Sequence, residues 1–201
     1  EVILDVQQDL LDRTLRFPKS FFDDKEVGYL MSRLSSDVMG LLNVGPAAGI
    51  GLIAYFRGLG AAWGDGPVLR SEGPDQDPHP ADIVRGYLAA EVVALLSFSA
   101  NATWSKAIAA ETDRDRSTIV LAGQTITPAL ARQSARIVAK TLVQAKAQAL
   151  ESHAVGDIQN WSDGDESLVV TLRTALRTGS PLPATGTDQT IYAAHLVAAA
   201  T

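Results

Sequence analysis

Thr127 to Ser152 reads "TPALARQSARIVAKTLVQAKAQALES". Threonine followed by proline is a helix-start signal, because the hydroxyl can accept an early backbone N–H and proline sacrifices nothing at the first helical position. Leu130, Ile137, Val138, Leu142 and Ala145 then recur at helical spacing, with Arg132, Arg136, Lys140 and Lys146 between them. The stretch predicts an amphipathic helix with that aliphatic stripe inward and the basic residues in water.

Neighbouring stretches follow the same logic. In "SDGDESLVVTLRTALRTG", Ser162 or Asp163 caps the start, acids fill the first turn, Arg173 and Arg177 lie toward the end, and Gly179 supplies a left-handed stop. "ADIVRGYLAAEVVALLSF", residues 81–98, is apolar nearly all round and predicts a central buried helix. Shorter helices are expected over about 102–110 and 188–200, and an amphipathic one over 2–17 that stops at Pro18. "STIVLAGQTI", 117–126, is rich in β-branched residues, so one short strand fits there, though no partner for it is evident. The predicted fold class is mainly α: a helical bundle-like domain with an N-terminal helical hairpin.

Composition narrows the function classes. The 201 residues carry a net charge of −6 and a pI near 5.0, and their basic residues are scattered among acids, which argues against a nucleic-acid surface. With no cysteine, disulfides, Cys-ligated metal centres and thiol catalysis are excluded. The chain opens at Glu1 without a methionine or a basic-then-apolar leader, which reads as an excised or processed piece. The uncharged run 38–56, "VMGLLNVGPAAGIGLIAYF", approaches membrane-spanning length, but Asn43, Pro46 and its glycines dilute it. It reads either as a membrane segment or as a Gly/Ala-rich buried helix or helix pair. "GDGPVLRSEGPDQDPHP", 64–80, is too rich in Gly, Pro and Asp for a helix or central strand, so it reads as a linker or loop between an N-terminal segment, 1–63, and a helical domain, 81–201.

One stretch near the N-terminus carries a recognisable pattern. Phe21-Phe22-Asp23, a gap, Gly28, Leu30, Ser32-Arg33-Leu34 and Asp37-Val38, preceded by Asp9-Leu10-Leu11, Leu15 and Pro18, resembles the first intracellular loop of ABC exporters over residues 5–40. The resemblance implies a coupling helix that docks on a nucleotide-binding domain and transmits its motion to a membrane part. The residues it implicates in partner docking are Phe21, Phe22, Tyr29, Leu30, Met31, Arg33 and Leu34. A glycine at 28 suits a sharp turn before the docking helix, expected over about 29–42. The implied partner is a nucleotide-binding domain of an ABC transporter or another helical protein, at the cytoplasmic side of a membrane or in the cytoplasm. No G-x-x-x-x-G-K-[ST] loop is present, so ATP hydrolysis by that chemistry is not this chain's own. The alternative is a soluble α-helical binding or structural domain with no catalytic activity.

Other motifs are weaker. "GIGLIA", Gly49 to Ala54, matches a relaxed dinucleotide fingerprint with Glu72 downstream, but that chemistry needs a strand before the glycines and a helix after them. "LPATG", 182–186, is a sortase pentapeptide without the basic tail such a signal needs, and it reads as a loop. His79, His153 and His195 show no metal-ligand spacing and are expected at the surface or in caps. "ETDRDR", 111–116, reads as a solvated loop. No G-x-S-x-G elbow marks a nucleophile, and neither a metal nor a cofactor is expected. Asn101 and Asn160 head glycosylation sequons by letter only.

Overall fold

The structure, a computed structural model, describes residues 27–64, 66–71, 82–115, 118–121, 124–147, 150–158, 160–182 and 193–201; the side chains of 27–35 are outside that description. Helices α1 (Val27–Val44) and α2 (Pro46–Trp63) form a hairpin and are followed by α3 (Asp82–Val93) and α4 (Asn101–Arg114). Strands β1 (Ile119–Leu121) and β2 (Gln124–Ile126) lead into α5 (Pro128–Gln144). After it come β3 (Lys146–Ala147), β4 (His153–Ala154), the single turn α6 (Val155–Ile158), α7 (Asp163–Thr178) and α8 (Ala193–Ala200). The protein is mainly helical, as its periodicities predict.

The uncharged run 38–56 is not one rod. It is cut at Gly45, whose φ of 73° and ψ of −160° belong to glycine alone, and Pro46 opens α2 in its favoured first position. A β-carbon on Gly45 would lie 2.4 Å from the Trp161 ring, so the break also admits the indole. Among the described residues no helix is long and apolar enough to cross a membrane. Gly28 lies inside α1, so the chain does not turn there. The residue needs φ > 0 in a sharp turn, and in α1 it is simply the second helical position.

Helix α3 is central. Ile83, Tyr87, Leu88, Val92 and Val93 are all buried, and so are Asp82 and Arg85. It ends at Val93, earlier than its apolar pattern, and Leu96 and Phe98 stay in the core from the following turns. Helix α4 crosses it at Gly86, where a β-carbon would meet Thr112 Oγ1 at 2.5 Å. Residues before and after 64–80 share one hydrophobic core, Val38, Leu41, Ile53 and Phe56 from one side and Leu88, Ile108, Ala135 and Leu172 from the other. Leu69, in the loop between them, is buried too.

The segment 117–126 supplies its own partner: β1 and β2 pair antiparallel, Ile119 opposite Ile126 and Leu121 opposite Gln124. A second two-residue ladder joins β3 to β4. Thr127 caps α5 as predicted, its Oγ1 accepting from Leu130 N at 3.2 Å. The buried face of α5 is another matter. Ala131, Ala135, Ala139, Leu142 and Val143 are buried, whereas Leu130 and Ile137 are 48% and 57% exposed. An alanine stripe lets α3 and α5 approach closely, and that contact, not the bulk of single residues, decides which face turns inward.

Ion pairs bolt the helices together. Arg85 of α3 makes a fork-to-fork pair with Asp37 of α1 (2.8 and 2.7 Å) and lies 4.3 Å over the Phe56 ring of α2. Arg57 of α2 reaches Asp115 (2.7 Å) and Glu111 (3.1 Å), and Arg132 of α5 reaches Asp113 (2.7 Å). Arg70 holds Asp82, and Arg136 holds Glu91. Of the run 111–116, residues 111–115 are therefore no solvated loop. Its first four residues are the last turn of α4, Thr112 is fully buried, and its acids are anchors for α2 and α5. Arg132 and Arg136 are not simply wet either, since each is paired across a helix contact.

Candidate functional site

Two concavities and one polar cluster are the sites to weigh. The polar cluster sits where α7 begins. Ser162 and Asp165 form a reciprocal capping box, with Ser162 Oγ donating to Asp165 Oδ2 at 2.6 Å. His195 of α8 is 3% exposed and its Nε2 lies 2.8 Å from Asp165 Oδ1, so it is neither a surface nor a capping histidine. Burial pushes the Asp165 carboxyl up, but the hydrogen bonds from Ser162 and His195 outweigh it and hold it below its ordinary value. Trp161, buried under Gly45, donates to Glu166 Oε1 at 2.7 Å and lies 5.4 Å from the imidazole.

The three side chains Ser162, Asp165 and His195 resemble a triad in composition but not in order. The acid stands between the hydroxyl and the imidazole, so the serine proton is directed to a carboxylate and not to a base that would carry it away. What this arrangement does is dock α8 on α7. Arg173 finishes the docking, its guanidinium donating to Ala198 O (3.1 Å) and Ala199 O (3.4 Å) at the end of α8.

The larger concavity, about 480 Å³, lies beside that joint. Ala47 and Ile50, from the first turns of α2, form one wall, and Trp104 of α4 forms a second. Arg173, Leu176 and Arg177 share one face of α7 at i, i+3 and i+4, and the last residues of α8, Ala199 to Thr201, close the groove. The start of α2 has no side-chain cap. Among the described residues no carboxylate side chain lines the groove. Arg173 is engaged by the carbonyls of α8, whereas Arg177 has no ion pair or hydrogen bond among the described residues.

A smaller crevice of about 310 Å³ runs between α1 and α2, floored by Gly40, Ala48 and Gly51 and flanked by the exposed Tyr55. Its one charged lining residue, Asp37, already belongs to Arg85. It offers shape without free polar chemistry.

The residues implicated by the exporter-like pattern are distributed as follows. Phe21 and Phe22 lie outside the described residues, and Tyr29, Leu30, Met31, Arg33 and Leu34 are on α1, with their side chains outside the description. The end of that pattern turns inward: Asp37 pairs with Arg85 and Val38 is buried. Gly49 to Ala54 lies wholly within α2, so the glycines follow no strand and the dinucleotide geometry is not formed. His153 is exposed on β4, and His79 lies outside the described residues, as does most of 182–186. Asn160 Nδ2 is engaged internally by Gly156 O (3.1 Å) and Ser97 Oγ (3.2 Å). Among the described residues no three His, Asp or Glu side chains converge as metal ligands.

In the sequence Arg173 and Arg177 stand out only as basic residues toward a helix end, and Trp104 belongs to no motif. The available signal was the i, i+4 arginine pair flanking Leu176. Comparison with protein-family models, with curated proteins and with solved structures finds no match.

Proposed function

We propose that this chain is a helical binding module, and that its binding site is the groove between α2, α4, α7 and α8. One observation carries this: a concavity of about 480 Å³, within the size range of small-molecule sites, combines aliphatic and aromatic walls with a guanidinium that has no partner among the described residues. The other polar clusters support the reading by their use. Asp37, Asp82, Glu91, Glu111, Asp113, Asp115 and Asp165 are all engaged in joining one element to the next. They serve architecture, and the groove is where chemistry is left over.

The test is a fragment screen on the ¹⁵N-labelled chain, with neutral and charged fragments at millimolar concentration. Hits are expected to shift the amides of Ile50, Leu176 and Ala199 and the indole N–H of Trp104. Ala200→Trp, a change at an exposed groove residue, should abolish those shifts while the rest of the spectrum is kept. Hits that map elsewhere, or survive Ala200→Trp, would sink the reading.

The exporter-like role rests on the sequence of residues 5–40 alone. As a separate proposal, Phe21, Phe22 and Tyr29 to Leu34 dock on a nucleotide-binding partner. Phe21→Ala with Phe22→Ala would then leave the melting temperature unchanged and abolish co-purification with an exporter nucleotide-binding domain. A large loss of stability would mark the two rings as core instead.

A further inference from the structure

Resting on the groove reading, we infer that the ligand is an amphipathic organic monoanion. Its carboxylate is held by Arg177, and its aliphatic or aromatic body lies against Ile50, Trp104 and Leu176. The sign of the charge follows from the lining. Two guanidiniums, Arg173 and Arg177, line it, and the uncapped N-terminus of α2 adds a partial positive charge. Among the described residues no side-chain carboxylate lines the groove to cancel them. That patch is positive on a chain whose net charge is −6, so it stands apart from its surroundings.

The number of charges follows from how the arginines are used. Arg173 already donates through Nε and Nη2 to the carbonyls of α8, which leaves Arg177 as the available fork. One planar fork matches one carboxylate through two parallel hydrogen bonds. A dianionic head would need a second free cation at the same place. The body must be apolar, because the remaining lining is Ala47, Ile50, Trp104, Leu176 and the alanines of α8.

Octanoate, octanol and octyltrimethylammonium share a chain and differ in head charge, so calorimetry with the three on the full chain tests the inference. Octanoate is expected to bind more tightly than octanol by about tenfold or more, the effect of one charge-assisted contact. Octyltrimethylammonium should not bind, and Arg177→Gln should remove the advantage of octanoate over octanol. The Trp104 indole N–H should shift on binding, resolved from those of Trp63 and Trp161. If octanol binds the groove as well as octanoate does, or if Arg177→Gln leaves octanoate unaffected, the anion assignment is wrong and the binding-module reading stands. If the fragment screen finds groove ligands but no eight-carbon probe binds, the assignment again falls alone. If nothing binds the groove, both fall together.

Discussion

Gly45→Ala is the most informative single substitution, because it strikes the break that separates α1 from α2. Two costs add at that position. The backbone, at φ 73° and ψ −160°, lies where an alanine is strained by about 1–3 kcal/mol. The new methyl would also stand 2.4 Å from the Trp161 ring, and forced over-packing of a core costs about 1–3 kcal/mol more. The expected loss is therefore about 2–6 kcal/mol, a large part of the ~5–15 kcal/mol by which a domain is normally stable. In a chain of this length that corresponds to a fall in Tm of roughly 4–24 °C. Gly58→Ala on the same α2 is the control: a β-carbon there meets nothing within 4 Å, and its helical backbone should gain about 0.5–1 kcal/mol.

Urea unfolding followed by circular dichroism measures both variants. A cycle with Trp161→Leu then separates the two costs. Removing the ring should relieve the steric part, so that Gly45→Ala costs only about 1–3 kcal/mol in that background. Equal stability of Gly45→Ala and wild type would refute the break at residue 45, and so would equal damage from the two glycine variants. Either result would restore 38–56 as one continuous helix.

Three further outcomes test the polar joints. Asp37→Ala leaves the buried Arg85 without its carboxylate and should cost about 3–5 kcal/mol, whereas Asp37→Leu with Arg85→Met should cost much less; equal losses in denaturant titrations would show that the pair is not buried as described. Burial, aided by its hydrogen bond to Asp113, pushes the Tyr87 phenol up to about 12, so folding stability from this group is intact below its unfolded value near 10 and is lost as pH rises through about 12. Tyr87→Phe should flatten that alkaline fall, and an unaltered slope would count against it. Asp165 is held below its ordinary value, so its contribution is present above an unfolded value of about 4 and disappears as pH falls through the lower folded value. Asp165→Asn should lower Tm at neutral pH and make Tm less sensitive to acid below about pH 4; an unchanged acid profile would contradict the Ser162–Asp165–His195 contact.

The helix ends were more legible than the helix faces, for a physical reason. Thr127-Pro128, Ser162 and Gly179 act on backbone groups a few residues away, so the local sequence contains both partners of each interaction. The buried face of α5 depends on what lies across from it. Ala131, Ala135 and Ala139 carry less apolar surface than Leu130 and Ile137, so the sequence alone favours the wrong face and only the close approach of α3 turns the alanines inward. Likewise "ETDRDR" has the same letters whether solvated or engaged, and Arg57 and Arg132, which engage it, come from other helices.

The groove compounds the same difficulty, since its walls come from four helices spread from residue 47 to residue 201. An arginine in the last turn of a helix is well explained by the dipole alone, which is why the spacing of Arg173 and Arg177 is only a weak functional signal in the sequence. The meaning of Arg177 comes by contrast with the others. Arg57, Arg70, Arg85, Arg132 and Arg136 each meet an acid on another element, and Arg173 meets the end of α8. In a chain that pairs these cations across its helix contacts, a guanidinium without a partner among the described residues, set beside an apolar hollow, is the feature that its architecture leaves unexplained. A ligand carboxylate would complete at Arg177 the pattern that the chain's own carboxylates complete elsewhere.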